Sequence, residues 1–369
     1  NPQIRKKNSL HWGPCDSKKW SEKTGLKGTL GYDCIIGNPP YVRKREDEIK
    51  SFQSKVAKNL YAAFVELGLG LLNDSGILNM IVPLSVVNSK DAEVVRTMIL
   101  DENAEIKFQN FDSVPDFLFD QGKIEKNTNT NINQRTTIIS IDKSAEEKEI
   151  YTSPLIRWRR SSKTNSDTGE ITESERNVLF NHLKEIAIER SDISQLGIIP
   201  MLENENDLNL FRAFQNHPQK LRDIIDNDPT SHTISVTKAV RYFISALPSD
   251  IHQRKNSILI NTKKIENWKR IHILVNSNIF YWWWRVIGNG FQVEKKDIES
   301  FPLLPLDQKR VNYHSKKLMD AMHDCRVEKL NAGKYVSNTN YNKAIDLLNE
   351  VDKECLASIG KKTHQRIQS

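Results

Sequence analysis

From Tyr32 onward, short apolar runs alternate with stretches in which apolar residues recur every three or four positions. Tyr32-Asp-Cys-Ile-Ile36 is stopped by Gly37-Asn-Pro-Pro40, which predicts a buried strand ending abruptly. Between Ile49 and Asn73, the positions Phe52, Val56, Leu60, Phe64, Leu67 and Leu71 are spaced for one helix face. Asp74-Ser-Gly76 then turns the chain into a second buried strand, Ile77 to Val82. Ser89 is placed to cap a helix over Lys90 to Leu100, with Asp91 and Glu93 in its first turn. Ala104 to Phe108 and Thr136 to Ile141 predict two further strands. This alternation argues for an α/β domain with a largely parallel sheet.

The polar segment Ser161 to Thr172 reads as a linker and sets a boundary at 160/161. Beyond it the pattern is less regular. Short helices (Glu175 to Glu189, Asp207 to Asn216) alternate with short strands (Thr233 to Val236, Ser257 to Ile260). Lys264 to Ile287 predicts one long helix, and two charged helices follow, over Gln308 to Leu330 and Tyr341 to Ile359. The aromatic run Phe280 to Trp284 cannot share one face of a helix, so part of it belongs to a core and part to an interface.

Composition narrows the class. The 369 residues are 38% hydrophobic and 27% charged, with 15 Gly and 13 Pro, which excludes collagen, a coiled-coil filament and wholesale disorder. The most apolar stretch, Ile77 to Val87, is interrupted by Asn79, Pro83 and Ser85, so no membrane span is expected. Residues 1–8 are polar and basic, unlike a secretory signal. Four scattered cysteines suggest a reducing, cytoplasmic compartment. His314, His323 and Cys325 lie on a polar helical stretch without a fourth ligand, so a solvated face is expected and no metal. The net charge of +7 fits a polyanionic partner without requiring one.

The sharp feature is Asn38-Pro39-Pro40-Tyr41 after its apolar run. It resembles motif IV of the S-adenosylmethionine-dependent amino-methyltransferases. An exocyclic amino nitrogen shares its lone pair with the base and is a poor nucleophile until its geometry is made tetrahedral. Two acceptors aimed at its two hydrogens do this. The resemblance gives these roles to the Asn38 side-chain oxygen and the Pro39 carbonyl, with the consecutive prolines keeping the turn rigid. Tyr41 would stack on a base that has left the duplex. Asp33 either faces the cofactor together with Asn38 or simply opens the strand.

The wider run Gly31-Tyr-Asp-Cys-Ile-Ile-Gly-Asn-Pro-Pro-Tyr-Val42 is similar to that of the TaqI-like and type IIG restriction–modification DNA adenine methyltransferases. Leu60-Tyr-Ala-Ala-Phe64 resembles their motif V, and Gly76-Ile-Leu-Asn-Met-Ile-Val-Pro83 their motif VI. Phe117-Leu-Phe119 followed by Thr136-Thr-Ile-Ile139 resembles motif VIII, which makes Phe119, or else Phe117, the second base-stacking ring. Ile273 to Arg285, Gly288 to Ile298 and Phe301-Pro-Leu-Leu-Pro305 resemble the segment that closes the target-recognition domain.

The resemblance covers roughly residues 30 to 306 and implies three parts. Residues 1–160 are the C-terminal part of a Rossmann-like class I methyltransferase sheet, 161–306 a mixed α+β target-recognition domain, and 307–369 a helical tail. Double-stranded DNA is the implied substrate. Arg43, Lys44 and Arg45 beside the loop, and Arg157, Arg159 and Arg160 near the junction, are candidate phosphate contacts. Residues 1–50 hold 11 Lys and Arg against 6 Asp and Glu. The Gly-rich turn that binds S-adenosylmethionine lies upstream of motif IV in the family, and no strand–Gly–helix unit precedes Asn38 here. The chain therefore reads as a downstream part. The missing half, or a restriction subunit, is an expected partner, and an uncovered sheet edge is expected where the upstream strands belong. Two other readings stay open: an RNA or protein amino-methyltransferase, and a non-catalytic DNA-specificity module.

Overall fold

The computed structural model describes residues 31–43, 49–114, 118, 134–158, 180, 183–226, 228, 232–240, 242–249, 256–324, 326–331, 334–339 and 344–359. The chain divides into two compact units, Asn1–Glu205 and Asn206–Ser369. The boundary expected at 160/161 falls inside the first.

The first unit is built on a sheet of six strands: β1 (Tyr32–Gly37), β2 (Leu72–Pro83), β3 (Glu105–Phe111), β4 (Thr136–Asp142), β5 (Ile150–Ile156) and β6 (Ile186–Ile188). Their order is β1-β2-β4-β3-β5-β6. Pairs β1/β2 and β3/β5 run parallel; β2/β4, β3/β4 and β5/β6 run antiparallel. The sheet is thus mixed, which corrects the expectation of a largely parallel one. An apolar run shows that a strand is buried but not its direction, which the connections set. Within Glu175 to Glu189, read as helical, Ile186–Ile188 is instead edge strand β6. Among the described residues β1 has a strand neighbour on one side only.

Helix α1 (Leu60–Leu71) buries Tyr61, Ala62, Ala63, Val65, Leu67, Leu69 and Leu71. The helix expected from Ile49 onward is broken before it. Gln53–Ala57 forms a 3-10 turn ended by Lys58 in the left-handed region (φ 51°), and Asn59 then caps α1. The Glu66 carboxylate accepts from Gln53 N and Ser54 N (3.0 and 2.8 Å), which fastens that turn to α1. Gly68 packs so closely on the sheet that an added Cβ would meet Leu78 and Met80 at 2.8 Å. A short helix α2 (Ser85–Asn88), a 3-10 turn at Lys90–Ala92 and α3 (Glu93–Leu100) follow. Ser89 stands before that turn without a side-chain capping bond. Helix α4 (Arg190–Ser194) follows β6, and Ile199 N then donates to Val87 O (2.8 Å).

The second unit contains α5 (Glu205–Gln215) and a three-stranded antiparallel sheet of β7 (His232–Thr237), β8 (Ala246–Pro248) and β9 (Ser257–Thr262), in the order β8-β7-β9. Helices α6 (Ile265–Asn276), α7 (Asn278–Ile287), α8 (Lys295–Glu299), α9 (Gln308–Asp324) and α10 (Ile345–Ala357) complete it. A hairpin of β10 (Arg326–Asn331) and β11 (Lys334–Thr339) separates α9 from α10. The tail is therefore not wholly helical, and the helix expected through Leu330 ends at Asp324.

The single helix expected over Lys264 to Ile287 is two helices broken at Ser277 (φ −71°, ψ 152°). The Ser277 hydroxyl accepts from Phe280 N (3.1 Å). Asp352 of α10 accepts from Asn278 N and Ile279 N (3.0 and 3.4 Å), so a carboxylate 74 residues away caps α7. Burial raises the Asp352 carboxyl to about 6. The aromatic run divides as helix geometry requires. Phe280, Trp283 and Trp284 are fully buried, while Trp282 is half-buried and donates to Asp207 (3.2 Å). Trp283 packs against Phe211, Phe214 and Phe301 at centroid distances of 5.8 to 6.4 Å.

Candidate active site at the carboxyl end of the first sheet

The Asn38–Tyr41 turn leaves β1 at its carboxyl end, where Gly37 pairs with Met80 of β2. Open α/β sheets place ligands at this end. Asn38 and Pro40 are exposed and Pro39 is buried, so the turn is anchored by one ring and presents the Asn38 amide outward. The Tyr41 hydroxyl donates to Ile81 O of β2 (2.8 Å). Burial holds that phenol well above its ordinary value, so it stays a neutral donor. Leu60 N donates to Val42 O (3.1 Å) and Arg43 bridges Asn59, tying the loop to the start of α1. Two adjacent elements, β2 and α1, therefore fix both ends of a segment whose prolines already restrict it.

The sheet register carries this end across β2, β4, β3 and β5. Pro83 pairs with Thr136, Thr136 with Phe111, and Phe111 with Ile156. Asp112, Arg135 and Arg157, one residue beyond these pairs, therefore share the end at which Asn38 emerges. The fully buried Asp112 carboxylate lies 2.8 Å from Arg135 Nε and 3.0 Å from Arg157 Nε, and accepts from Ser113 N (2.7 Å). The Arg135 contact is electrostatic, because its Nε makes no well-directed hydrogen bond. Behind the loop, Tyr61 OH approaches Ser85 Oγ (3.4 Å), and Arg96 donates to Val86 O and Ser89 O (3.0 and 2.7 Å). The segment after β2 is thereby pinned.

The structure brings together Asn38, Pro39, Pro40, Tyr41 and Arg43 in one loop, and Arg157 at the same sheet end. It separates Asp33 from them. Asp33 opens β1, is exposed, and accepts from Asn73 Nδ2 (2.6 Å). Five residues of strand put it about 17 Å from Asn38. The extended strand holds these two candidate cofactor residues at its opposite ends. Arg157 is engaged by Asp112 and one-quarter exposed. Lys44, Arg45, Phe117, Phe119, Arg159 and Arg160 lie outside the described residues. Sequence reading missed Asp112 and Arg135. Their only signal is a charged residue directly after one apolar strand and directly before another.

Elsewhere, no cluster of three or more His, Cys, Asp or Glu suited to a metal occurs among the described residues. His314 is buried at 4% exposure, which corrects its reading as part of a solvated face. Among the described residues no helix is long and apolar enough to cross a membrane.

Comparison with known proteins adds a family. Residues 3–117 match the Eco57I restriction-modification methylase family. This match is in line with the resemblance read from the sequence. No curated protein matches the chain. Among solved structures it is similar to the Type IIL restriction-modification enzyme MmeI in complex with DNA (12% identity, 94% of this chain and 61% of that chain, TM-score 0.48). It is also similar to a nuclease-deletion mutant of the Type ISP restriction-modification enzyme LlaGI in complex with a DNA substrate mimic (10% identity, 88% and 47%, TM-score 0.41). A third is the DrdV–DNA complex (10% identity, 84% and 47%, TM-score 0.38). The chain spans less than two thirds of the length of each.

Proposed function

We propose that the chain is the catalytic-loop and target-recognition part of a DNA methyltransferase acting on the adenine 6-amino group in a restriction–modification system. The observation that carries this reading is the Asn38–Tyr41 loop, rigid at both ends and open at the carboxyl end of β1. There the exposed Asn38 amide oxygen and the Pro39 carbonyl accept from the two hydrogens of the target amino group. Fixed acceptors favour the pyramidal nitrogen that attacks, without reorganising as it forms. Tyr41, anchored through its hydroxyl on Ile81, offers a ring to stack on the extruded base. Phe119 is proposed for the opposite face. Arg43, Lys44 and Arg45, which follow the loop in sequence, and Arg157, Arg159 and Arg160 are proposed phosphate contacts. Residues 161–306 are the proposed target-recognition domain and 307–369 a C-terminal appendage.

The family implies S-adenosylmethionine as methyl donor. The described residues do not complete a site for it: Asp33 and Asn38 stand at opposite ends of β1, and no glycine-rich turn adjoins the loop. Asp33 and Asn38 are the residues proposed to face the donor, as part of a site that other residues complete. The exposed edge of β1 is the proposed docking edge for the strands that carry that site. The test is methyl transfer to duplex DNA by the polypeptide that contains this chain, with Asn38→Ala as variant. Loss of transfer with DNA binding retained is expected; undiminished transfer by Asn38→Ala rejects the assignment. Transfer to RNA or protein in place of duplex DNA rejects the substrate.

A further inference from the structure

Helices α9 and α10 of the second unit enclose a groove of about 620 Å³, lined by Lys309, Arg310, Tyr313 and His314 from one helix and Glu350, Lys353 and Glu354 from the other. Such a volume accepts a small organic ligand. Residues 309, 310, 313 and 314 recur at helical spacing, so α9 turns a single cationic and aromatic face into the groove.

The charges are not mutually satisfied. His314 Nε2 lies 2.9 Å from Glu354 Oε1. A carboxylate only accepts, so this nitrogen carries the proton and donates. Arg310 binds the same oxygen. Glu354 is thereby committed to two partners. Glu350 is within electrostatic reach of Lys317, whose ammonium stands 4.7 Å from the centre of the Tyr313 ring. Lys309 and Lys353 remain, exposed and without an ion-pair partner among the described residues. Two lysines facing one concavity repel each other unless an anion lies between them. Tyr313 beside them is 49% exposed, a large amphipathic ring at the lip of a charged pocket.

We propose that this groove binds a phosphate ester bearing an aromatic base, with the phosphate between Lys309 and Lys353 and the base against Tyr313. Lysine ammoniums bind phosphate as point charges, and a base stacks on an aromatic ring whatever its sequence identity. A free nucleotide and a DNA strand share this chemistry. The inference does not rest on the methyltransferase reading.

The test uses the full chain, calorimetric titration with AMP, inorganic phosphate and adenosine, and anisotropy with a labelled mixed-sequence DNA duplex. Lys309→Gln and Lys353→Gln are expected to weaken the bound species about tenfold each, the loss of one charge-assisted contact. Tyr313→Leu is expected to weaken AMP but not phosphate. Saturable AMP binding with this pattern assigns the groove to a free nucleotide. No AMP binding, with DNA affinity reduced by the same lysine variants, assigns it to a DNA strand. All three positions are exposed, and unchanged thermal unfolding of the variants verifies that they fold. Undiminished binding of both AMP and DNA by Lys309→Gln and Lys353→Gln overturns the proposal, as does an absence of binding by the unaltered chain.

Discussion

Strands β1 and β4 read almost alike. Asp33-Cys-Ile-Ile36 and Thr136-Thr-Ile-Ile139 both put two isoleucines in a short apolar run beside a polar end. In the fold they part company. Ile139 and Ile141 of β4 are fully buried between β2 and β3, whereas Ile36 of β1 is 79% exposed. The difference lies in position, because β4 is inside the sheet and β1 at its edge. The same signal marks a core strand in one place and an open rim carrying the candidate catalytic loop in the other. Buried strands fix a fold, and an edge leaves backbone groups available to something else.

The contrast can be broken at several points. The largest effect is expected at the strand ends. Asp112→Ala removes a fully buried carboxylate from between two guanidiniums and should cost about 4 kcal/mol in chemical denaturation. Asp33→Ala, at an exposed end with one bond to Asn73, should cost less than about 1 kcal/mol. Equal costs would mean that edge and interior are not distinguished as described. Next come the isoleucines. Ile139→Ala should lose about 3 kcal/mol as a cavity opens in the core, and Ile36→Ala less than about 0.5 kcal/mol. Comparable losses would show that something covers β1 in solution.

The smallest effect tests whether burial also changes one local motif in the second unit. Asp223 and Asp297 each accept the backbone N–H three residues before them, at the start of a short helix. Asp297 is 2% exposed, and burial raises its carboxyl from 3.8 to about 7. The folded state then holds a proton that the unfolded state has released. This group's contribution to stability therefore falls as pH rises from about 4 to about 7. Asp297→Asn keeps an acceptor and has no such loss. Its melting temperature relative to the unaltered protein should rise across that window. A difference independent of pH would show that Asp297 ionises normally.

Much of the first unit was legible in order. The strands at Tyr32, Ile77, Ala104 and Thr136 occur close to where their apolar runs place them, because burial and side-chain alternation are local properties. Strand direction was not legible, and neither were breaks made from a distance. Lys58 interrupts an apolar period that continues on both sides of it. Asp352 caps α7 from 74 residues away, so no window around Ser277 contains the reason for the break. In the candidate site, Asn38 to Tyr41 could be read because their chemistry depends on adjacent residues. Asp112, Arg135 and Arg157 could not, because three distant segments meet only when β3, β4 and β5 are laid side by side.

By itself the sequence determined that a rigid Asn-Pro-Pro-Tyr turn follows an apolar strand, since proline fixes φ and the tetrapeptide needs no partner to hold its shape. Only the tertiary structure decided that this strand lies at an edge, that Asp33 is bonded to Asn73, and that His314 is buried beside the Glu354 carboxylate. Sheet order and burial are sums over contacts between distant residues, and no stretch of chain carries them alone.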